Sequence, residues 1–210
     1  MRILQVISDA SVADTCKAVL KAASCMVDAS ELGDDGVDMA KLYDYDLIVL
    51  DAELDDMTGF SALCRLRNAK IAAPVVVLSP SDERAECIRF LEAGADDFIV
   101  RPVHRDEFVA RVRAVFRRSR GLATPEVHIG ALTVDTHEKT ARVNGKAIHL
   151  TGKEYNVLEL LAVRRGVTLT KEMFLNHLYG GMDEPALKII DVFVCKLRKK
   201  LADAGAPGMT

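Results

Sequence analysis

The sequence predicts an α/β domain built on a buried parallel sheet, followed by a smaller α+β domain of short strands and three helices. Three observations carry this. Short apolar runs alternate with helix-period stretches through the first half, which is how a parallel sheet between helical layers reads. The second half changes to short strands with turn signals and then to three helical patterns. Charge divides at the same place: residues 1–117 hold 14 Lys and Arg against 21 Asp and Glu, net −7, whereas residues 118–210 hold 14 against 10, net +4. An acidic front joined to a basic back predicts two domains with different partners, the basic one suited to nucleic acid.

Composition excludes several classes. Of 210 residues, 50% are hydrophobic and 28% charged, ordinary for a folded globular chain and wrong for a disordered one. No apolar run reaches the roughly 18 residues that cross a bilayer. The apolar start, residues 1–7, is too short for a signal-peptide core. The five cysteines, Cys16, Cys25, Cys64, Cys87 and Cys195, are scattered and form no C-x-x-C pair, against both a disulfide framework and a zinc site. The expectation is a cytoplasmic protein with no membrane partner.

In the first half the apolar runs are residues 3–7, 25–29, 47–50, 75–78 and 98–100, read as strands buried on both faces. Val19, Leu20 and Ala23 follow one helical period between them; Phe108, Val109, Val112, Val115 and Phe116 follow another. In such a sheet the functional crevice lies at the carboxyl ends of the strands. The residues there are Ile7-Ser8-Asp9, Asp51, Ser79 and Arg101-Pro102. Arg117-Arg118-Ser119-Arg120 closes the last helix with positive charge, favourable at a helix C-terminus. The expected division is residues 1–118, a linker at 119–126, and a second domain at 127–210.

In that second domain residues 127–134, 140–143 and 147–150 read as strands, with Asn144-Gly145 a hairpin signal. Thr151-Gly152-Lys153-Glu154 fits a capping box opening a helix to about Arg165, where Gly166 stops it. A second helix fits 170–179, capped by Thr170 and ended by Gly180-Gly181, and a third runs from about 184 to 202.

Asp51 follows a buried strand, at the rim where a carboxylate can act as a phosphoryl acceptor if a metal neutralises the incoming group. Ser79 could hydrogen-bond a phosphoryl oxygen and Arg101 could pair with it. The blander reading is a solvated acidic turn made by Asp51, Glu53, Asp55 and Asp56. Four motifs decide in favour of the first. Tyr43-Asp44-Tyr45-Asp46 leading to Asp51, Met57-Thr58-Gly59, Leu78-Ser79 and Gly94-Ala95-Asp96-Asp97-Phe98 resemble the receiver domain of a two-component response regulator. The resemblance implies a flavodoxin-like (βα)5 fold with Asp51 as phosphoacceptor.

The departures from the family pattern lie in the pocket itself. Ile7 and Ser8 stand where receivers carry the acidic pair that holds Mg²⁺, and Asp9 comes one residue late. Magnesium requires near-octahedral oxygen ligation, so no metal or other cofactor is expected. Arg101 replaces the family's lysine, a planar fork in place of a compact ammonium. The expectation is a degenerate receiver in which Arg101 forms a salt bridge with Asp51. The resemblance also implies a homodimer face carrying Arg89, Asp97, Glu107 and Arg111, with Cys87 where the family has a lysine.

The stretch 187–201 is the most informative segment of the second half. Ile190, Val194, Leu197 and Leu201 give one apolar face, and five cations against one anion occupy residues 188–200. A basic helix with an apolar anchor suits a major groove; the blander reading is a solvated helix face. Leu150-Thr151-Gly152-Lys153-Glu154-Tyr155, Thr168-Leu169-Thr170-Lys171-Glu172 and the 188–201 stretch resemble the winged helix-turn-helix domain of OmpR/PhoB-type regulators, and in particular its alphaproteobacterial cell-cycle branch. The resemblance places Lys188, Val192, Lys196 and Arg198 at the groove, with Phe193 where many relatives have histidine, and Lys199 and Lys200 beside them. It implies double-stranded DNA with A·T-rich tandem half-sites, and RNA polymerase contacted through the 180–185 loop.

Relatives continue past the third helix with a β-hairpin wing, and residues 204–210 are too few for one, so the expectation is either that the full chain is truncated or that the domain lacks its wing. The leading functional expectation is a DNA-binding transcription regulator, not an enzyme, that works without Mg²⁺-dependent phosphorylation. One alternative is an antagonist that pairs with a full-length relative or occupies its histidine phosphotransfer protein. The other is a conventional regulator phosphorylated on Asp51.

Overall fold

A computed structural model describes residues 1–179 and 185–206. It divides into two compact units, Met1–Ser119 and Arg120–Thr210.

The first unit alternates strand and helix throughout: β1 (Arg2–Val6), α1 (Ala10–Ala22), β2 (Met26–Ser30), α2 (Gly33–Leu42), β3 (Leu47–Asp51), α3 (Gly59–Asn68), β4 (Val75–Ser79), α4 (Arg84–Glu92), β5 (Asp97–Val100) and α5 (Arg105–Ser119). All sheet pairs are parallel, in the order β2-β1-β3-β4-β5. This is the flavodoxin-like order, whose crevice opens beside β1 and β3. The period-2 alternation of each strand feeds two cores. Ile3, Leu47, Val49 and Val76 face one side with Leu20 of α1 and Phe108, Val112 and Val115 of α5. Leu4, Ile48, Leu50 and Val77 face the other with Val37 of α2, Leu63 and Leu66 of α3, and Phe90 of α4. Each fully buried Leu, Ile or Val contributes about 1.5–3 kcal/mol relative to exposure.

The second strand begins one residue later than the apolar run suggests. Cys25 still belongs to the end of α1: its N–H bonds the Leu20 carbonyl at 3.0 Å, behind Ser24 with φ at +63°. Gly59 is required sterically, since a Cβ there would lie 2.0 Å from the Asp51 carbonyl oxygen. Its N–H bonds the Ala52 carbonyl at 2.8 Å, which seats the start of α3 against the end of β3. Arg67 ties the loops at the opposite edge by donating to the carbonyls of Ile71 and Ala73 at 2.9 Å and of Gly94 at 2.7 Å.

The second unit opens with an antiparallel sheet of β6 (Glu126–Ile129), β7 (Leu132–Asp135), β8 (Thr140–Val143) and β9 (Lys146–Ala147), in chain order. The run expected as one strand at 127–134 is therefore a hairpin, turned at Gly130 with φ at +56°. Asn144 and Gly145, both at positive φ, make the expected tight turn. Three helices follow: α6 (Gly152–Val163), α7 (Lys171–Tyr179) and α8 (Lys188–Asp203). Thr151 and Glu154 form the capping box of α6. The last helix starts at Lys188 rather than near 184, because the Ile189 and Ile190 N–H groups reach back only three residues, to Ala186 and Leu187. Val134, Val143, Tyr155, Leu158, Phe174, Ile190, Leu197 and Leu201 close one core around sheet and helices.

Candidate functional site

Asp51 ends β3 with 1% of its surface exposed. Its Oδ1 accepts the Glu53 N–H at 3.2 Å and lies 3.2 Å from Arg101 Nη2. The expected pair between Asp51 and Arg101 is therefore present. Arg101 follows β5, its own N–H bonded to the Ser79 carbonyl at 2.7 Å, and precedes a cis peptide to Pro102. Burial pushes the Asp51 carboxyl above its ordinary range. The Glu53 N–H and Arg101 oppose that shift without reversing it, and Glu53 and Asp9 add to it. Cys16 of α1 feels both Arg101 and Asp51; burial raises its thiol to about 11, so it stays protonated at neutral pH.

Ser79 is fully buried, and its hydroxyl is turned to α4: it donates to Glu86 Oε2 at 3.2 Å and accepts the Ser81 N–H at 3.0 Å. Nothing in the sequence singled out Glu86. It lies seven residues beyond Ser79, with a loop between them, so no helical or strand period links the two.

The residues present do not fit a magnesium ion. Ile7 is fully buried in the core shared with α1 and α5. The Ser8 hydroxyl donates to the Glu31 carbonyl and accepts the Asp55 N–H at 3.1 Å. Asp9 caps α1, accepting from Ser11 N at 2.9 Å and Val12 N at 3.1 Å. Asp56 caps α2 in the same way, through the N–H groups of Gly33 and Asp34, which lowers its carboxyl. Asp9 and Asp56 are thus committed to helix starts, and Asp51 Oδ1 faces a cation already in place.

On the expected dimer face, Arg111 Nε bonds Glu107 Oε1 at 2.8 Å, and Nη1 lies 3.4 Å from Asp97 Oδ2. Arg89 lies over the Phe60 ring, 3.7 Å from its centroid.

In the second unit, Lys188, Val192, Lys196, Arg198 and Lys199 of α8 are exposed. Phe193 is half-buried and packs on the core, being three residues from Ile190 and four from Leu197 on the apolar stripe. Lys200 turns inward, its Nζ 2.6 Å from Glu154 Oε2 and 3.0 Å from the His149 carbonyl oxygen. Asp191 and Cys195 of α8 are exposed as well and share the stripe of Lys188, Val192 and Lys199 at helical spacing. Asp191 is paired with Lys171 of α7 at 2.7 Å. The 180–184 part of the loop expected to meet polymerase lies outside the described residues.

Comparison with known proteins agrees with this architecture. Residues 3–113 match the response regulator receiver domain, and residues 145–209 match the C-terminal domain of transcriptional regulatory proteins. The chain is 54% identical over 202 residues to the cell cycle transcriptional regulator CtrA of Caulobacter vibrioides, covering 96% of this chain and 87% of that one. It is 51% identical over 201 residues to the cell cycle response regulator CtrA of Brucella anthropi, at the same coverages. DrrB, an OmpR/PhoB homolog of Thermotoga maritima, superposes over 100% of this chain and 92% of its own with a TM-score of 0.50 and 24% identity, a likeness of fold. With a receiver joined to a transcriptional effector domain, and with this identity over almost its whole length, the chain belongs to the CtrA-like group of OmpR/PhoB-type response regulators.

Proposed function

We propose that this regulator binds DNA with its receiver held by the Arg101–Asp51 pair in place of Mg²⁺-dependent phosphorylation. The observation that supports the reading is that pair, together with the commitment of Ile7, Ser8 and Asp9 to packing and capping. A phosphoryl group arriving at Asp51 would find Ile7 and Ser8 in place of the acidic pair and would have to displace a guanidinium. Arg101 supplies one positive charge permanently, whereas a metal supplies two only when bound.

The effector side of the proposal is that Lys188, Val192, Lys196, Arg198 and Lys199 present α8 to the major groove of A·T-rich tandem half-sites. Cations hold phosphates, and the helix face carries base readout. Lys200 and Phe193 are left out of that set, since both side chains are engaged within their own domain. A homodimer through the face of Asp97, Glu107 and Arg111, contact with RNA polymerase and a cytoplasmic location complete the reading.

Fluorescence anisotropy of the whole chain against a tandem A·T-rich duplex and a scrambled one tests it. Selective binding that Mg²⁺ with beryllofluoride leaves unchanged is the expected result. Binding that appears only after beryllofluoride, with chemical-shift changes centred on Asp51 and Ser79, would establish a conventional phosphorylated receiver instead.

A further inference from the structure

We propose that Lys200 is a positioning residue, fixing the C-terminal end of α8 against the first turn of α6 so that the rest of the helix meets DNA in one orientation. This rests on the reading of α8 as the DNA-binding helix given above.

The geometry is that of a clamp. Glu154 Oε2 accepts the Lys200 ammonium at 2.6 Å and the Thr151 N–H at 2.9 Å. Thr151 Oγ1 in turn accepts the Glu154 N–H at 3.4 Å. One carboxylate therefore closes the first turn of α6 and holds the last turns of α8. A second Lys200 proton goes to the His149 carbonyl at 3.0 Å, just before α6. The Glu154 side chain is 5% exposed and that of Lys200 35%. A buried carboxylate stripped of its cation is strongly unfavourable, which keeps Lys200 in place when a phosphate approaches. A lysine that serves phosphates carries its ammonium away from the fold; this one is turned toward it.

The clamp controls readout through leverage. A helix of 16 residues is about 24 Å long, so a tilt of a few degrees at the Lys200 end moves Lys188 by about an ångström. Base-edge contacts depend on positions held to about 0.5 Å, whereas long lysine stems follow phosphates through such a shift. At the other end Lys171 and Asp191 are both about half-exposed, a weaker restraint than the buried one. Loss of the clamp therefore costs discrimination between sequences before it costs general affinity.

The test compares Lys200→Met, Glu154→Gln, their double variant and Lys200→Arg in the whole chain. Affinity is measured for the A·T-rich and scrambled duplexes over a range of salt. Gln can still serve the capping box, so Glu154→Gln removes the ion pair while preserving the start of α6. The expected result is that both single variants lose selectivity by about tenfold with the salt slope unchanged. The double variant should be no worse than either single one, and Lys200→Arg should hold selectivity within about twofold. A Lys200→Met variant whose salt slope falls by about 0.9, beside a Glu154→Gln variant that binds normally, would make Lys200 a phosphate contact and overturn the proposal. Hydrogen exchange without DNA reads the clamp independently: faster exchange along the last turns of α8 in both variants is expected. Unchanged exchange overturns the proposal even where the wild-type chain shows no sequence preference, an outcome that would count against the DNA-binding reading instead.

Discussion

Arg101 reaches from the end of β5 to Asp51 at the end of β3, placing Nη2 3.2 Å from Oδ1 in a pocket where Asp51 is 1% exposed. The carboxylate is nevertheless held above its ordinary range, because burial outweighs the Glu53 N–H and the guanidinium.

That balance sets a pH dependence. A carboxyl raised in the folded state binds more protons there than in the unfolded chain, so its contribution to stability is full below its ordinary value of 3.8 and lost as pH rises through the folded value. Asp51→Asn should therefore be more stable than the wild type at neutral pH, and the difference should shrink as pH falls through that window. Urea denaturation at several pH values reads it; a gain that grows on acidification would be inconsistent with a raised Asp51.

Restoring metal ligands should have two separable effects. Ile7→Glu alone buries a carboxylate in an apolar core and should cost about 2–4 kcal/mol of stability without metal. With Ser8→Asp and Arg101→Lys added, titration calorimetry should show saturable Mg²⁺ binding that the wild-type chain lacks. Binding of equal strength by the wild type would contradict the poor fit of its donor set.

Gly59→Ala should be among the most damaging small changes in the first unit. The added carbon would fall 2.0 Å from the Asp51 carbonyl oxygen and 2.8 Å from the Ala52 Cα, both backbone atoms that cannot swing aside. A loss of about 3 kcal/mol or more is expected from chemical denaturation.

Arg67→Met keeps much of the aliphatic stem but takes the donor from the carbonyls of Ile71, Ala73 and Gly94 and the cation from the Asp96 carboxylate, which keeps the Val75 N–H at 2.9 Å. With a quarter of the Arg67 side chain exposed, water recovers part of this, leaving an expected cost of about 2 kcal/mol in thermal or urea unfolding.

On the effector helix, Lys196→Ala should weaken binding to specific and scrambled duplexes alike and lower the salt slope by about 0.9, as one fewer phosphate neutralised. A change of sequence preference at unaltered slope would make Lys196 a base reader.

Much of the architecture was written in local patterns. Short continuous apolar runs separated by helical periods pointed to the parallel sheet, and Asn144-Gly145 and Thr151–Glu154 marked a turn and a cap where the chain makes them. The short motifs around Asp51, Ser79 and Arg101 placed all three at strand ends, and the replacement of the acidic pair by Ile7 and Ser8 was legible without coordinates. These signals are local: a strand end, a cap or a turn depends on a few neighbouring residues.

What only the tertiary structure decided is who meets whom across the fold. A charge pattern on a helix tells which residues are cations, not which of them faces a buried acid from another helix. Lys200 thus read as one more DNA-binding lysine, although it lies three residues from Leu197, at the border of the apolar face, and goes to Glu154. The Ser79 hydroxyl likewise reads as free until Glu86 of α4 is beside it. The Arg101–Asp51 pair could be expected from strand ends sharing one crevice. Its geometry, and the burial that leaves Asp51 raised despite it, come from packing that residues 50 positions apart acquire only when β3, β4 and β5 lie side by side.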